Sequence, residues 1–275
     1  MGRYNDIIQN TQKPNTITSI TANLRKLGIV NGDILCVHSS LSSMGYVIGG
    51  AEAVVWALLQ AVGENGTLSM PAHSTQNCDP TYRGTPPPIE WHELMRRELP
   101  PYNPLTTATG GMGIIAETFR TFPNTLRSNH PQTSVCANGK YARKITKEHT
   151  LTPQFGMNTP FGTMYNLKTK VLLIGVEYNV CTCLHLSETL SGVIPNDENG
   201  TAVMNKNGER EWILYADIDL ETIDFGAIGA DFEKNHKVKK GKIGQAKCKL
   251  FGLREIVDFG TDWIKKNRVI EDSIN

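Results

Sequence analysis

Short apolar segments with the length of a β-strand alternate in this chain with segments that have the period of an amphipathic helix. DILCVH (33–38) has the pattern of a buried strand, and AEAVVWALLQAVG (51–63) that of a helix stopped by Gly63. A second strand pattern, GTLSMP (66–71), follows directly. Such alternation places helices against a sheet. The sequence therefore predicts an α/β fold with a mixed central sheet.

The same alternation continues to the end of the chain. Further segments predict, in order, a helix, a strand, a weak helix, a hairpin and a terminal helix: KYARKITKEH (140–149), EWILYADI (211–218), DFGAIGADFEKN (224–235), VKKGKIGQAKCKLF (238–251) and LREIVDFGTDWIKKN (253–267). We see no internal repeat, and no linker divides the sequence cleanly. We therefore expect a single domain over residues 1–275.

Residues 73–110 interrupt this pattern with a long irregular segment rich in Pro, Gly and polar residues. Only a short helix is predicted within it, at about residues 91–99. A long loop inside a compact domain is usually functional or mobile. We expect this Pro/Gly-rich insertion to shape a binding site.

The charge balance and the termini limit the possible partners. A formal net charge of +1 argues against a nucleic-acid partner. The one basic run, HKVKKGK (236–242), is typical of a solvated loop or hairpin. The N-terminal residues lack the apolar core of a signal peptide, and no apolar run has membrane-spanning length. We therefore expect a cytoplasmic protein without a membrane partner, whose six cysteines are free thiols.

The segment after the first strand has the composition of a phosphate-binding loop. Ser39, Ser40, Ser42 and Ser43 supply hydroxyl groups, and the glycines at 49–50 allow a close backbone approach before the next helix. No lysine follows the glycines as in a Walker A motif, and the dinucleotide glycine pattern is absent. On this segment alone, an ordinary strand-to-helix turn is the better interpretation.

The segment TCLHLSETL (182–190) carries a second candidate site. Thr182 is a good N-cap for a helix, and the spacing of three places Thr182, His185 and Glu188 on roughly one helix face. A carboxylate beside an imidazole orients the ring and stabilises its protonated form, as in a general base.

Three other interpretations compete for this segment. Cys181, Cys183 and His185 could bind zinc, but C-x-C-x-H is more compressed than the usual ligand spacing. Cys183 could be a nucleophile with His185 as its base, although catalytic Cys and His usually lie far apart in sequence. The third is a buried helix start whose histidine is merely hydrogen-bonded. The residues alone leave this last interpretation level with the general base.

Four longer blocks of sequence decide between these interpretations. They occur in this order: VHSSLSSMGYVIGGAEAVVWALLQAVGENGTLSMPAHS (37–74), RSNHPQTSVCANGKYA (127–142), GMNTPFGTMYNLKTKVLLIGVEYNVCTCLHLSE (156–188) and KIGQAKCKLFGLREIVDF (242–259). Together they resemble the aminoglycoside 3-N-acetyltransferase family, most closely its members from Gram-positive bacteria that are not the well-known resistance enzymes. The resemblance implies a three-layer α/β/α sandwich and acetyl-CoA as cofactor. It also implies acetyl transfer to an amine, in the type members the 3-amino group of the 2-deoxystreptamine ring of an aminoglycoside.

The resemblance also implies roles for individual residues. The family's T-x-x-H-x-x-E motif is catalytic and falls here on Thr182, His185 and Glu188. The expected cofactor contacts come from three segments: His38, Ser39, Ser40 and Leu41; Met112 and Gly113 in the GGMG turn; and Ser134 in NHPQTS. Asp79 and Glu188 are candidates for binding a cationic acceptor, although an Asp before Pro is also a common turn former.

On this interpretation, His185 takes a proton from the attacking amine, Glu188 orients it, and backbone N–H groups or the Thr182 hydroxyl stabilise negative charge on the acyl oxygen. A second hypothesis keeps the fold and the CoA site but assigns another amine as substrate, or little aminoglycoside activity. The sequence does not indicate the oligomeric state.

Overall fold

The computed structural model describes residues 2–268, which form nine strands and ten α-helices within that range. The strands are β1 (Ile34–Ser39), β2 (Thr67–Pro71), β3 (Leu126–Arg127), β4 (Val135–Gly139), β5 (Lys170–Ile174), β6 (Asn196–Met204), β7 (Arg210–Ile218), β8 (Lys239–Ile243) and β9 (Ala246–Gly252). The helices are α1 (Gly2–Gln9), α2 (Ile17–Leu27), α3 (Gly50–Val62), α4 (His92–Glu98), α5 (Ile114–Arg120), α6 (Ala142–Thr146), α7 (Pro160–Asn166), α8 (Leu184–Ser191), α9 (Phe225–Asn235) and α10 (Leu253–Asn267).

Seven of the strands form one central sheet in the order β3-β4-β2-β1-β5-β9-β8. Strand β1 runs parallel to both β2 and β5, whereas the other pairs in this sheet are antiparallel. The remaining strands, β6 and β7, pair antiparallel with each other in a separate hairpin. The predicted mixed central sheet is therefore confirmed.

Helices cover both faces of the central sheet. Successive residues of β1 point to opposite faces, so Leu35 and Val37 pack in one hydrophobic core while Cys36 packs in the other. The first core is completed by α2, α3 and α5, and the second by helices α6 to α10. Because each face has its own core, the molecule is a three-layer α/β/α sandwich, as the resemblance implied.

The parallel strands determine where the long loops meet. Since β1, β2 and β5 run in the same direction, their carboxyl ends lie at one edge of the sheet. The serine-rich loop, the irregular segment from residue 73 and the turn before α8 all start from these ends. In α/β sheets, this edge is where ligands usually bind.

Most elements predicted from the sequence are present, but α1, β3, β6 and α7 were not predicted, and some bounds differ. The hairpin β8–β9 and the terminal helix α10 are confirmed, but the helix predicted at 140–149 is limited to Ala142–Thr146. Strand β6 was not predicted, because its sequence, NDENGTAVM, opens with polar residues that strands disfavour. No helix within residues 2–268 is long and apolar enough to cross a membrane.

Candidate active site

Two cavities meet at the edge of the sheet where the parallel strands end. The first has a volume of about 790 Å³ and lies between the loop after β1 and the segment 111–116. The second, of about 520 Å³, lies under the irregular segment that follows β2. Gly111 lines both cavities, Thr182 lines the first and His185 lines the second. The start of α8 therefore lies where a ligand of one cavity would meet a ligand of the other.

His185 and Glu188 form a hydrogen-bonded pair on α8. Nδ1 of His185 lies 2.5 Å from Oε2 of Glu188, whose side chain is fully buried. Since a carboxylate can only accept, Nδ1 carries a proton, and in the neutral ring the lone pair is then on Nε2. In the described part of the chain, Nε2 has no hydrogen-bond partner. Nε2 of His185 is therefore the ring nitrogen that remains available to a ligand in the second cavity.

The second oxygen of Glu188 is held from distant parts of the chain. Oε1 accepts hydrogen bonds from the Glu221 amide at 3.0 Å and from Nη1 of Arg268. Arg268 is itself held by both carboxylate oxygens of Asp224, each at 2.6 Å. The buried charge of Glu188 is thereby compensated, and its orientation towards His185 is fixed.

Two aromatic rings restrict the movement of the His185 ring. Phe155 lies with its ring centroid 4.8 Å away, and Phe225 lies 4.9 Å away on α9. With Glu188 on Nδ1, these contacts hold the imidazole in a single orientation before any ligand binds.

Thr182 does not cap α8, contrary to the N-cap predicted from its position. The helix begins at Leu184, and the N-cap position is Cys183 without a side-chain cap. The first amides bond instead to carbonyls three residues back, including His185 to Thr182 at 3.1 Å. Because these tight turns satisfy the amides, the Thr182 hydroxyl is not needed as a cap, and the residue lines the first cavity.

The two cysteines beside the motif belong to the hydrophobic core. Cys181 and Cys183 are fully buried, and their sulfur atoms lie 3.4 Å apart without a disulfide. Burial and the neighbouring Cys181 raise the pKa of the Cys183 thiol well above its usual value. His185 is paired with Glu188 and not with either sulfur. Within residues 2–268, no group of three His, Cys, Asp or Glu side chains is placed to hold a metal ion.

Most of the residues expected at the cofactor site line the first cavity. The lining includes His38, Ser39, Ser40, Leu41, Met112 and Gly113. Burial lowers the pKa of His38 to about 4, so its ring is neutral near pH 7. Gly49 and Gly50 have φ angles of 82° and 57°, which favour glycine, and bring the backbone into the cavity wall at the start of α3.

Glu188, described above, lies outside both cavity linings, and so do two further predicted site residues. Ser134 is buried, donates to the Ala72 carbonyl at 2.7 Å and accepts from Arg127 at 2.9 Å, so it holds the end of β2 in place. The Asp79 carboxylate binds Arg96 at 2.8 Å and caps the turn at Thr81. Burial raises the pKa of Asp79, but the hydrogen bonds from Arg96 and Thr81 outweigh it and lower the pKa to about 2. Ligand contacts of these two residues stay predictions.

The site also contains residues that the sequence did not single out. His73 lines the second cavity, and its buried Nε2 has no hydrogen-bond partner among residues 2–268. Burial and the nearby His185 lower the pKa of His73 to about 3, so the ring is neutral. Arg83 lines the same cavity. His73 lies near the end of the block 37–74 and Arg83 in the irregular insertion, but no local pattern marked either as a site residue, and only the fold brings them within the same cavity as His185.

Comparisons with known proteins agree on one family. Residues 36–265 match the sequence profile of the family described as Aminoglycoside 3-N-acetyltransferase. The SPbeta prophage-derived aminoglycoside N(3')-acetyltransferase-like protein YokD of Bacillus subtilis is 42% identical over 265 residues, covering 95% of this chain and 96% of that protein. The crystal structure of YokD superposes with a TM-score of 0.94 at 40% identity, covering 97% of this chain and 100% of the other.

Two other solved structures of similar fold contain ligands. AAC-IIIb, solved as a binary complex with CoASH, has a TM-score of 0.81 and 29% identity, with 92% of this chain and 97% of that chain covered. AAC-VIa, solved with bound sisomicin, has a TM-score of 0.82 and 25% identity, with 92% of this chain and 99% of that chain covered.

Proposed function

The chain belongs to the aminoglycoside 3-N-acetyltransferase family, and on this premise we propose that it transfers an acetyl group from acetyl-CoA to an amino group, with His185 as general base. As a member of that family, it is an enzyme of the acyltransferase class. The first candidate acceptor is the 3-amino group of an aminoglycoside, in line with the names of its relatives.

The single observation that carries this proposal is the position of the His185–Glu188 pair where two cavities meet. A transferase that joins two ligands needs two adjoining pockets and a proton acceptor between them. Thr182 and His185, three residues apart, line one cavity each, and Gly111 lines both. A donor in the first cavity and an acceptor in the second would thus meet beside Nε2 of His185.

The first cavity fits coenzyme A in size and chemistry. Val37, Val47 and Met112 give it apolar walls, and Ser39 and Ser40 add hydroxyl groups near the start of α3. Its described lining contains no acidic side chain that would repel phosphate groups. His38, Ser39, Ser40, Leu41, Met112 and Gly113 would hold the cofactor. When bound, acetyl-CoA supplies an acetyl group activated as a thioester.

The chain's own residues handle the proton. An alkylammonium has no lone pair for attack, so Nε2 of His185 must take a proton from the acceptor amine. Glu188 stabilises the imidazolium through its 2.5 Å bond to Nδ1. The Thr182 hydroxyl is free of helix capping and is the candidate donor for negative charge on the acyl oxygen.

A thiol-release assay with acetyl-CoA and a panel of aminoglycosides tests the proposal. His185→Ala should lower kcat by about 10²–10⁴-fold if His185 is the general base. Thr189→Ala, one turn further along the same helix and outside both cavity linings, is the matched control. The Thr189 hydroxyl donates to the His185 backbone carbonyl at 3.3 Å and not to the imidazole, so this variant should keep its activity. Near wild-type turnover by the His185→Ala protein with any accepted amine would refute the assignment.

A second candidate function is acetylation of an amine that is not an aminoglycoside, or binding of CoA with little aminoglycoside turnover. One observation favours it: among the described residues, no Asp or Glu lines the second cavity. A polycationic antibiotic would find no carboxylate there to pair with its ammonium groups.

A further inference from the structure

The lining of the second cavity carries a single permanent charge, and that charge is positive. Apart from His185, its titratable side chains are His73, Cys78, Tyr82 and Arg83. Burial lowers the pKa of His73 to about 3, whereas burial raises the pKa of Cys78 above its usual value and that of Tyr82 to about 12. These three groups are therefore neutral near pH 7, and only the guanidinium of Arg83 is always charged.

The carboxylates nearest to this cavity are engaged elsewhere or lie outside its lining. Asp79 is bound by Arg96, and Glu188 is bound by His185 and Arg268. Asp217 accepts from the Gln154 amide at 2.7 Å and from the Ile218 amide at 2.9 Å. Asp197, Asp217 and Asp219 lie close enough to Tyr82 to raise its pKa, but none of the three lines the cavity.

The guanidinium of Arg83 is incompletely paired. Nη2 donates to the Gln76 carbonyl at 2.5 Å, and the Cys78 thiol lies close by. Nε is buried without a hydrogen-bond partner, and no ion pair to Arg83 occurs within residues 2–268. Elsewhere in the site, Arg96 and Arg268 each bind carboxylates through more than one nitrogen. Nη1 donates to no oxygen in the described structure, so it is the nitrogen of Arg83 that is left for a ligand, whereas the buried Nε is not.

From these observations we infer that the acceptor of this enzyme is an amine that also carries an anionic group, which binds Arg83 while the amine lies at His185. A guanidinium binds phosphate and carboxylate oxygens through paired hydrogen bonds, whereas it repels a polycation. Both residues line one cavity of about 520 Å³, so a small acceptor can contact both. The inference rests on the proposed function for the transfer itself.

Isothermal titration calorimetry with three matched amino sugars tests this inference. Glucosamine carries no anion, glucosamine 6-phosphate carries a phosphate and glucosaminate carries a carboxylate. The protein saturated with CoA should bind at least one anionic sugar about tenfold or more tightly than glucosamine. Comparison of the two anionic sugars shows which group Arg83 recognises.

Variants of arginine assign that preference to one side chain. Arg83→Gln should bring the ratio of the affinities for the anionic sugar and for glucosamine close to one. Arg83→Lys should keep part of the preference, because lysine retains the positive charge but not the paired donors of a guanidinium. Arg97→Gln is the matched control, because Arg97 is exposed on α4 and pairs only with Glu98 among the described residues; it should behave like wild type. Equal or undetectable binding of all three sugars to wild type, or an unchanged ratio in Arg83→Gln, would overturn the inference.

The thiol-release assay separates this inference from the proposed function. Acetylation of sisomicin without any preference for anionic amines would leave the transferase intact and refute the role of Arg83. A preference for the anionic sugars that depends on Arg83, with no thiol release for any amine, would instead refute the transfer and support the anion site.

Discussion

Replacing Glu188 by glutamine would remove one charge from the site and leave its shape nearly unchanged. Oε1 of Glu188 accepts from Arg268 and from the Glu221 amide, so the amide oxygen of the new glutamine should keep that position. Its NH₂ group would then point at Nδ1 of His185, which now faces a carboxylate oxygen at 2.5 Å. A donor would therefore replace an acceptor beside the imidazole.

This exchange would reverse the tautomer of His185. Nδ1 would have to accept a hydrogen bond, so the ring proton would move to Nε2. Nε2 would then have no lone pair with which to act as a base in the second cavity. Any imidazolium that still formed would also lack its carboxylate partner.

The size of the effect follows from these two losses. A hydrogen bond to an ionised group contributes about 1.5–3 kcal/mol, equivalent to about 10–150-fold in rate. The wrong tautomer adds to this loss, so we expect kcat to fall by about 10²–10⁴-fold. The KM for acetyl-CoA should not change, because Glu188 is absent from the described lining of either cavity.

Steady-state thiol release measures both parameters. Asp224→Asn is the matched control, because Asp224 binds Arg268 but makes no contact with His185 in the described structure. It should reduce kcat far less than Glu188→Gln does. A Glu188→Gln protein that folds and keeps near wild-type kcat would show that tautomer control is irrelevant to catalysis.

Two further predictions concern the cysteine and the buried histidines. Cys183→Ala should keep kcat near the wild-type value, because the thiol is buried and protonated; an acetylated Cys183 found by mass spectrometry would contradict this. Burial lowers the pKa of His38 and His130 from 6.5 to about 4, and that of His73 to about 3. Between about pH 6.5 and 4 the unfolded chain binds more protons than the folded protein. The free energy of unfolding should therefore fall as the pH is lowered, by up to about 1.4 kcal/mol per pH unit for each histidine. Urea unfolding at several pH values measures this slope, which His73→Gln should reduce; a flat profile would contradict the prediction.

The sequence predicted those parts of the site that local spacing determines. A separation of three residues places Glu188 against His185 on any helix, and the structure has this contact at 2.5 Å. The capping role of Thr182 was wrong, because tight turns before α8 satisfy the amides that a cap would serve. That outcome depends on backbone geometry, which residue types do not reveal.

The parts that the sequence could not predict depend on contacts between distant segments. Arg268 reaches Glu188 across 80 residues, and Arg83 reaches the cavity of His185 only through the folded insertion. The ion pair between Asp79 and Arg96 was likewise not predictable, because it joins two separate parts of the irregular insertion. Charged residues can be identified in a sequence, but their partners are set by the tertiary fold.

The contact between Glu188 and Arg268 also has a consequence for protein synthesis. A ribosome that has just completed α8 has made His185 and Glu188, but the guanidinium that completes the pair lies 80 residues further on. Until Arg268 has been made and α9 and α10 have packed, the Glu188 carboxylate lacks the cation that compensates its burial. Under the proposed mechanism, His185 would therefore gain its oriented partner only late in synthesis. A chain terminated shortly before Arg268 would have the whole motif without the ion pair that holds Glu188.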